Sequence, residues 1–453
     1  MRLAVVGGVA AGTKAASRAR RVDPELDIVL YQEEPDTSIS ECGLPYRLSG
    51  TVGSRDSLIA RTPEEFGEKG IEARVLHRVE RVDHERRVLT GRNLKTGEPF
   101  EEGYDRLLIS TGARAKMPPF EGSELAGVFP LRFLTDSDAI LEHIREHSPG
   151  RAAVVGGGYI GLEVAENLVS LGLEVTLVES AGHVAAAYGS EVAGKIQDHL
   201  AEKGVSVHTG QRVDGFSDGG HGDGQVRSIS FEGREAPAEL VIVGAGIEPV
   251  VELAEEAGAE IGVTGAIRVN ERMETSLPGV WAAGDNVESS HLVGGAPTWA
   301  PLGDTANQMG RVAGTNAALA DGDTPLEFPG VLGTGIFKVF DLGVAKTGLL
   351  ESDAAEAGFS PVSATVEAGS SAGYYPGGQE VFLKLVADKD SGRVLGAETC
   401  GAQADKMVDI CATALWGRLT VADLINLDLA YAPPFGPALS PVIQAATIIS
   451  GKL

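Results

Sequence analysis

The sequence predicts an α/β fold with two Rossmann-like nucleotide-binding domains and a third, α+β domain. Three observations predict it. A strand, a glycine-rich turn, a helix and a second strand run in that order from Leu3, and the same order returns from Ala152. After about residue 325 the texture changes to alternating runs such as Val381-Phe382-Leu383-Lys384-Leu385-Val386. The length of 453 residues is that of roughly three domains at about 150 residues each.

The first unit opens on Leu3-Ala4-Val5-Val6, four apolar residues in a row, as in a strand buried on both faces of a parallel sheet. Gly7-Gly8-Val9-Ala10-Ala11-Gly12 then reads as the turn, Thr13 to Arg21 as a helix and Asp27 to Tyr31 as the second strand. The second unit has Ala152-Ala153-Val154-Val155, the turn Gly156-Gly157-Gly158-Tyr159-Ile160-Gly161, a helix from Leu162 to Leu171 and a strand from Glu174 to Glu179. A βαβ unit repeated once at this spacing means two domains rather than a solenoid. Further strand-then-turn signals are Leu107 to Gly112, Leu240 to Gly246 and Val280 to Asp285. Pro118-Pro119 marks the crossing into the second domain and Pro249 the return, and Ser217 to Gln225 reads as an exposed hairpin turn. The expected domains are 1–117 with 245–325, then 118–244, then 326–453, the last with antiparallel strands followed by helices.

Composition excludes several classes. Hydrophobic residues are 43% and charged residues 23%, which is globular. Basic residues number 38 and acidic residues 64, a net charge of −26, so a nucleic-acid partner and an anionic membrane surface are both disfavoured. No apolar run reaches the roughly 18 residues of a membrane span, and the apolar start is too short for a secretory signal. The three cysteines, Cys42, Cys400 and Cys411, are too few for a disulfide framework. A reducing, cytoplasmic location is expected. Cys400 and Cys411 are read as structural.

A glycine turn between strand and helix lets main-chain N–H groups and the helix dipole meet a pyrophosphate. In the first turn Gly7, Gly8, Ala10, Ala11 and Gly12 are the candidates, with Val9 where the middle glycine is expected. Gln32 lies 20 residues after Gly12, so Gln32 or the next residue, Glu33, is the expected ribose contact. The second turn carries the full pattern, with Gly156, Gly158, Tyr159, Ile160 and Gly161 as candidates. A carboxylate at Glu179, with no basic residue just after it, favours NADH over NADPH.

The segment Ser38-Ile39-Ser40-Glu41-Cys42-Gly43-Leu44-Pro45-Tyr46 carries the most chemistry, with Cys42 read either as a reactive thiol or as a structural cysteine. Proline favours the first helical position, so Pro45 is expected to set Cys42 just before a helix N-terminus, where a thiolate is stabilised. Glu41 opposes this. His143-Ile144-Arg145-Glu146-His147 matches a zinc-binding spacing, but Pro149-Gly150 ends that helix and no third ligand presents itself, so no metal is expected.

Together, the first glycine turn, the Ser-x-x-x-Cys-Gly-x-Pro-Tyr segment, Ser110-Thr111-Gly112, the second turn and Gly284-Asp285 resemble the flavoprotein pyridine nucleotide–disulfide oxidoreductases over essentially the whole chain. The single cysteine resembles the branch of coenzyme A disulfide reductases, NADH oxidases and NADH peroxidases. Two-cysteine members carry a second cysteine where this chain has Arg47, and take a histidine from the C-terminal domain, whereas no histidine follows His291. Peroxidases and oxidases of the branch have a histidine in the first turn, where Ala10 and Ala11 stand here.

The resemblance implies FAD in the first domain, NADH (or NADPH) in the second and a homodimer built by the third. It implies that Asp285 holds the ribityl chain of FAD beside Gly284. Thr111 and Gly112 would line the junction between flavin and NADH, Tyr159 would gate the nicotinamide pocket, and Glu163 would lie near flavin N5. The lysine that partners this glutamate in two-cysteine members has no clear counterpart beside Cys42. Tyr431, with Tyr374 or Tyr375, would reach the partner subunit's cysteine. Lys14, Arg18, Arg21, Ser38 and Arg61 are the expected contacts for coenzyme A, held as bound substrate or as a mixed disulfide.

The activity so implied is reduction of coenzyme A disulfide, or of a coenzyme A persulfide or polysulfide, through Cys42. Competing readings are an NADH oxidase or peroxidase that cycles Cys42 through a sulfenate, and a slow flavin redox sensor.

Overall fold

The computed structural model describes residues 1–453. Arg2–Val6, Asp27–Tyr31, Ile71–Arg74, Arg106–Ile109 and Val280–Ala282 form one parallel sheet with Arg2–Val6 in the middle. Its aliphatic side chains are enclosed on both faces: Leu3, Val5, Val29 and Leu30 are all 0% exposed. Helix α1, Ala10–Val22, starts three residues earlier than expected, so Ala10, Ala11 and Gly12 already belong to its first turn. The turn before it needs a left-handed residue, and Gly7 supplies it at φ +103°. The cysteine segment folds as one turn of 3-10 helix, Glu41–Gly43, leading into the five-residue helix α2, Leu44–Leu48.

The second sheet repeats this design, with Arg151–Val155 flanked by Glu174–Glu179 and Leu240–Val243, and with Ser206–Thr209 and Val128–Pro130 at the edges. Helix α3, Tyr159–Ser170, follows its glycine turn, where Gly156 has φ +102°. The chain enters and leaves this unit by neighbouring paths. Ala113–Ala115 pairs antiparallel with Ile247–Pro249, joining the stretch just before Pro118 to Pro249 itself. The turn expected at Ser217 joins the antiparallel strands Val213–Ser217 and Ser228–Phe231. A three-stranded antiparallel sheet over residues 77–103 inserts into the first unit and was not anticipated from the sequence.

Helix α4, Gly303–Asn316, returns to the first unit and packs along α1. The approach is close enough that a Cβ on Gly310 would lie 2.3 Å from the Ala11 carbonyl oxygen. The third unit is a five-stranded antiparallel sheet, residues 335–401, covered by helices Ala404–Trp416 and Pro441–Ser450. Cys400 and Cys411 are buried in it. His143 and His147 stack on each other, with Nε2 of His143 on the Glu239 carbonyl and Nδ1 of His147 on the His143 carbonyl. No helix is long and apolar enough to cross a membrane.

Candidate active site

The two glycine turns are matched atom for atom by an acceptor from the neighbouring strand. Val6 pairs with Tyr31 and Val155 with Val178, so Gln32 and Glu179 occupy the same place, one residue past each pair. Gln32 Oε1 accepts the Gly8 N–H at 2.9 Å, and Glu179 Oε2 accepts the Gly157 N–H at 2.6 Å. The second oxygen of Glu179 accepts the Ala181 N–H at 2.6 Å. Glu33, the alternative, turns outward into an ion pair with Arg78 at 2.8 Å.

Both helices behind these turns are open to an anion. Neither α1 nor α3 has an acidic residue in its first turn, so their free N–H groups and positive ends are not neutralised. No atom lies within 4 Å of where a Cβ on Gly158 would stand, leaving a bare shelf at the start of α3. Near the first turn Asn286 Nδ2 donates to the Thr111 hydroxyl at 3.1 Å, while its buried Oδ1 has no partner. Two phosphate-ready helix ends, an orphaned amide oxygen and the Asp285 carboxylate fit two bound dinucleotides.

Around Cys42 the expectation of a dipole-stabilised thiolate needs correction. Pro45 is the second residue of α2 rather than the first, and five residues make a weak dipole. The sulfur is open to solvent, yet partial burial, then Glu163, then Glu41, push the thiol above its ordinary range, with Arg132 pulling the other way. Glu41 is itself pushed up to about 7, chiefly by burial, with Arg132 opposing and Asp285 adding to the rise.

Arg132, which sequence reasoning did not single out, joins these groups. One guanidinium nitrogen lies 3.1 Å from Glu41 and the other 3.2 Å from Asp285. Its Nε donates to the Ala113 carbonyl at 3.0 Å, and the Asp285 carbonyl accepts the Trp299 indole N–H at 2.7 Å. Arg47 sits in an ion pair with Asp138 at 2.7 Å, which explains its presence as a brace for α2.

Cys42, Tyr46, Glu163, Phe337, Lys338 and Gln403 line one cleft of about 500 Å³. Tyr46 stands one helical turn beyond Cys42, and its hydroxyl donates to Glu163 Oε1 at 2.9 Å. Lys338 is paired with Glu166 and lies 5.5 Å from the Tyr46 ring centre. Lys338, from the third unit, therefore lends positive charge near Glu163 but is bonded to Glu166, and no lysine pairs with Glu163 itself. Burial lifts Glu163 to about 7 against the pull of Tyr46 and Lys338. Tyr159 packs on Phe337 at 4.9 Å and shares a 3.3 Å hydroxyl contact with Tyr188.

The remaining expected residues are spread more widely. Tyr374, Tyr375 and Tyr431 are exposed on the third unit and do not line the cleft of their own subunit. Their loops are tied together: Ala372 N–H donates to the Pro433 carbonyl at 2.8 Å. Gln403 Nε2 donates to the Ser370 and Phe435 carbonyls at 2.9 and 3.3 Å. Arg18 spends its Nε on the Thr315 hydroxyl at 2.9 Å, while Lys14 and Arg21 are exposed. Arg61 reaches Ser17 at 3.2 Å. Ser38, at φ +52°, gives its N–H to the Gly8 carbonyl at 2.8 Å and so braces the first glycine turn.

Known proteins share this arrangement across the full length. The model of the pyridine nucleotide-disulphide oxidoreductase family matches residues 1–311, and that of its dimerisation domain residues 335–442. An NAD(P)H sulfur oxidoreductase (CoA-dependent) of Pyrococcus furiosus is 36% identical, covering 99% of each chain. An NADH oxidase of Methanocaldococcus jannaschii is 34% identical over 100% of this chain and 99% of its own. A coenzyme A disulfide reductase of Staphylococcus aureus is 32% identical over 96% of each. The solved NAD-dependent persulfide reductase from A. fulgidus superposes with TM-score 0.95 at 41% identity, covering 100% of this chain and 83% of that one. Two glycine turns, one open cysteine and these matches lead to one conclusion: the chain belongs to the pyridine nucleotide-disulphide oxidoreductases.

Proposed function

We propose that this chain is an FAD-dependent NAD(P)H reductase that cleaves a coenzyme A-linked S–S bond at Cys42. One observation carries the reading. Cys42 is exposed in a cleft, while the other two cysteines are buried in the third unit, so this chain offers it no second cysteine and the cleft leaves it open to a disulfide from outside. Residues 1–117 with 245–325 hold FAD in this reading, 118–244 hold the nicotinamide dinucleotide, and 326–453 pair two copies in the cytoplasm. The pinned carboxylate of Glu179 favours a free ribose hydroxyl over a phosphate, hence NADH.

The Cys42 thiolate attacks one sulfur of R–S–S–R′. That bond breaks, R′–S⁻ leaves and takes up a proton, and Cys42–S–S–R remains. When bound, NADH would supply through FAD a hydride equivalent, two electrons and one proton, which returns Cys42 to a thiolate and frees R–SH. Arg132 holds Glu41 and Asp285 so that the cysteine segment and the flavin site keep one geometry. Tyr431 with Tyr374 or Tyr375 of a second copy supplies phenols to the departing thiolate. Lys14, Arg21 and Arg61 offer positive charge to coenzyme A, and Arg18 is the weaker candidate because Thr315 already holds it.

The names of the Pyrococcus relative, a CoA-dependent sulfur oxidoreductase, and of the A. fulgidus persulfide reductase support a coenzyme A persulfide as a second acceptor. The Methanocaldococcus relative supports oxygen as a competing acceptor. Anaerobic NADH consumption against coenzyme A disulfide, coenzyme A persulfide and peroxide, with oxygen in a parallel vessel, separates them. Turnover on an S–S acceptor that disappears in Cys42→Ser is the expected result. Consumption of oxygen or peroxide alone would install the oxidase reading, and turnover below about one per minute on every acceptor the sensor.

A further inference from the structure

Tyr46 has no role in the function proposed above. It is the fourth residue after Cys42, and the 3-10 turn Glu41–Gly43 and the helix α2 that follows it bring the two side chains to the same cleft. Its hydroxyl is spent on Glu163 Oε1 at 2.9 Å, across a sequence separation of 117. That bond stabilises the ionised carboxylate, and Lys338, poised above the Tyr46 ring, does the same. Glu163 is in turn the charge that most opposes ionisation of Cys42. A carboxylate and a thiol therefore face one cleft, each making the other's negative charge harder to hold.

We propose that Tyr46 is a positioning residue that, through Glu163, decides which of Glu163 and Cys42 carries the negative charge in the cleft. This rests on Cys42 being the reacting sulfur. With Tyr46 in place, the charge sits on Glu163 and Cys42 rests as a thiol. When a guest pushes the charge off Glu163, the S–H bond of Cys42 breaks and an O–H bond forms on Glu163. The cleft as a whole neither gains nor loses a proton. Other groups set the background: Glu41, Arg132 and Asp285 on the far side of Cys42, Glu166 and Lys338 beside Glu163, and Asp341 and Asp405 along the cleft wall. None of them is bonded to the Tyr46 hydroxyl, so removing that oxygen addresses Glu163 alone.

The test is the pH profile of iodoacetamide alkylation of Cys42, read by mass spectrometry on the flavin-loaded chain with Cys42 first reduced to the free thiol, the reductant removed and no NADH present. The wild type is expected to show two coupled inflections. Glu163→Gln should leave one, lower by about one pH unit, and raise the rate at pH 7.5 roughly tenfold. Tyr46→Phe should raise that rate about threefold, and should add nothing in the Glu163→Gln background, because Tyr46 acts only through Glu163. A Tyr46→Phe profile that superposes on the wild type would overturn the proposal, as would an effect that multiplies with Glu163→Gln. Should Tyr46→Phe fail to fold, a Glu163→Gln profile identical to the wild type would overturn it as well. The proposal stands apart from the acceptor: a chain that alkylates as described yet turns over no S–S substrate would sink the proposed function and leave the pair intact.

Discussion

Arg132 and Glu41 form an ion pair of 3.1 Å, with side chains only 14% and 19% exposed, directly beside Cys42. Because the same guanidinium also meets Asp285, the cysteine segment and the ribityl-binding candidate share a single cation. Arg132→Ala is expected to destabilise the chain by about 3 kcal/mol in urea unfolding, since two enclosed carboxylates lose their partner. Adding Glu41→Gln should recover part of the loss, and full additivity of the two changes would contradict the coupling.

Gln32→Leu would leave the Gly8 N–H without its acceptor in an enclosed turn, at a cost of about 1–3 kcal/mol. Flavin retention on gel filtration should fall with it. An unchanged flavin content together with an unchanged urea midpoint would count against the role given to Gln32.

Gly310→Ala puts a methyl group 2.3 Å from the Ala11 carbonyl oxygen, so α1 and α4 have to separate. Overpacking of this kind costs about 1–3 kcal/mol. The displaced turn is the one that begins α1, and weaker flavin binding in a titration of the apo-protein is the expected companion.

Glu163 is lifted to about 7 from an ordinary 4.5, so between those values the folded chain holds a proton that the unfolded chain has released. Its contribution to stability is present below about pH 4.5 and is lost as pH rises through about 7. Wild type should thus lose on the order of 2 kcal/mol more than Glu163→Gln between pH 5 and pH 8. Parallel urea midpoints for the two proteins across that range would refute this.

Glu179→Gln keeps an oxygen for Gly157 or Ala181 but removes the charge that repels a ribose phosphate. The ratio of kcat/KM for NADH over NADPH should fall by about tenfold, equal to about 1.4 kcal/mol. An unaltered ratio would show that discrimination lies elsewhere.

Much of this was legible in the sequence. Leu3 to Val6 and Ala152 to Val155 announced central strands because a strand buried on both faces must be apolar at every position. Gln32 was singled out by counting from the first turn, and the structure puts it in register with Glu179, with its amide oxygen on the Gly8 N–H. The hidden part is long-range. Arg132 reaches Asp285 across 153 residues and Lys338 reaches Glu166 across 172. Neither pairing leaves a local pattern, because a lone charged residue in a loop or strand reads like any surface residue. Tyr46 lay inside the quoted motif, but only the fold shows that its hydroxyl is committed to Glu163 rather than to solvent.

Gln403 forms part of the cleft wall and at the same time clasps both loops that present Tyr374, Tyr375 and Tyr431. In the proposed homodimer, a second copy that moves those loops would thereby act on the first copy's own cleft through Gln403. Two crippled parents, one Cys42→Ser and the other Tyr431→Phe, would each be inactive alone. Mixed and reassociated, they would rebuild one working chamber in every hybrid pair.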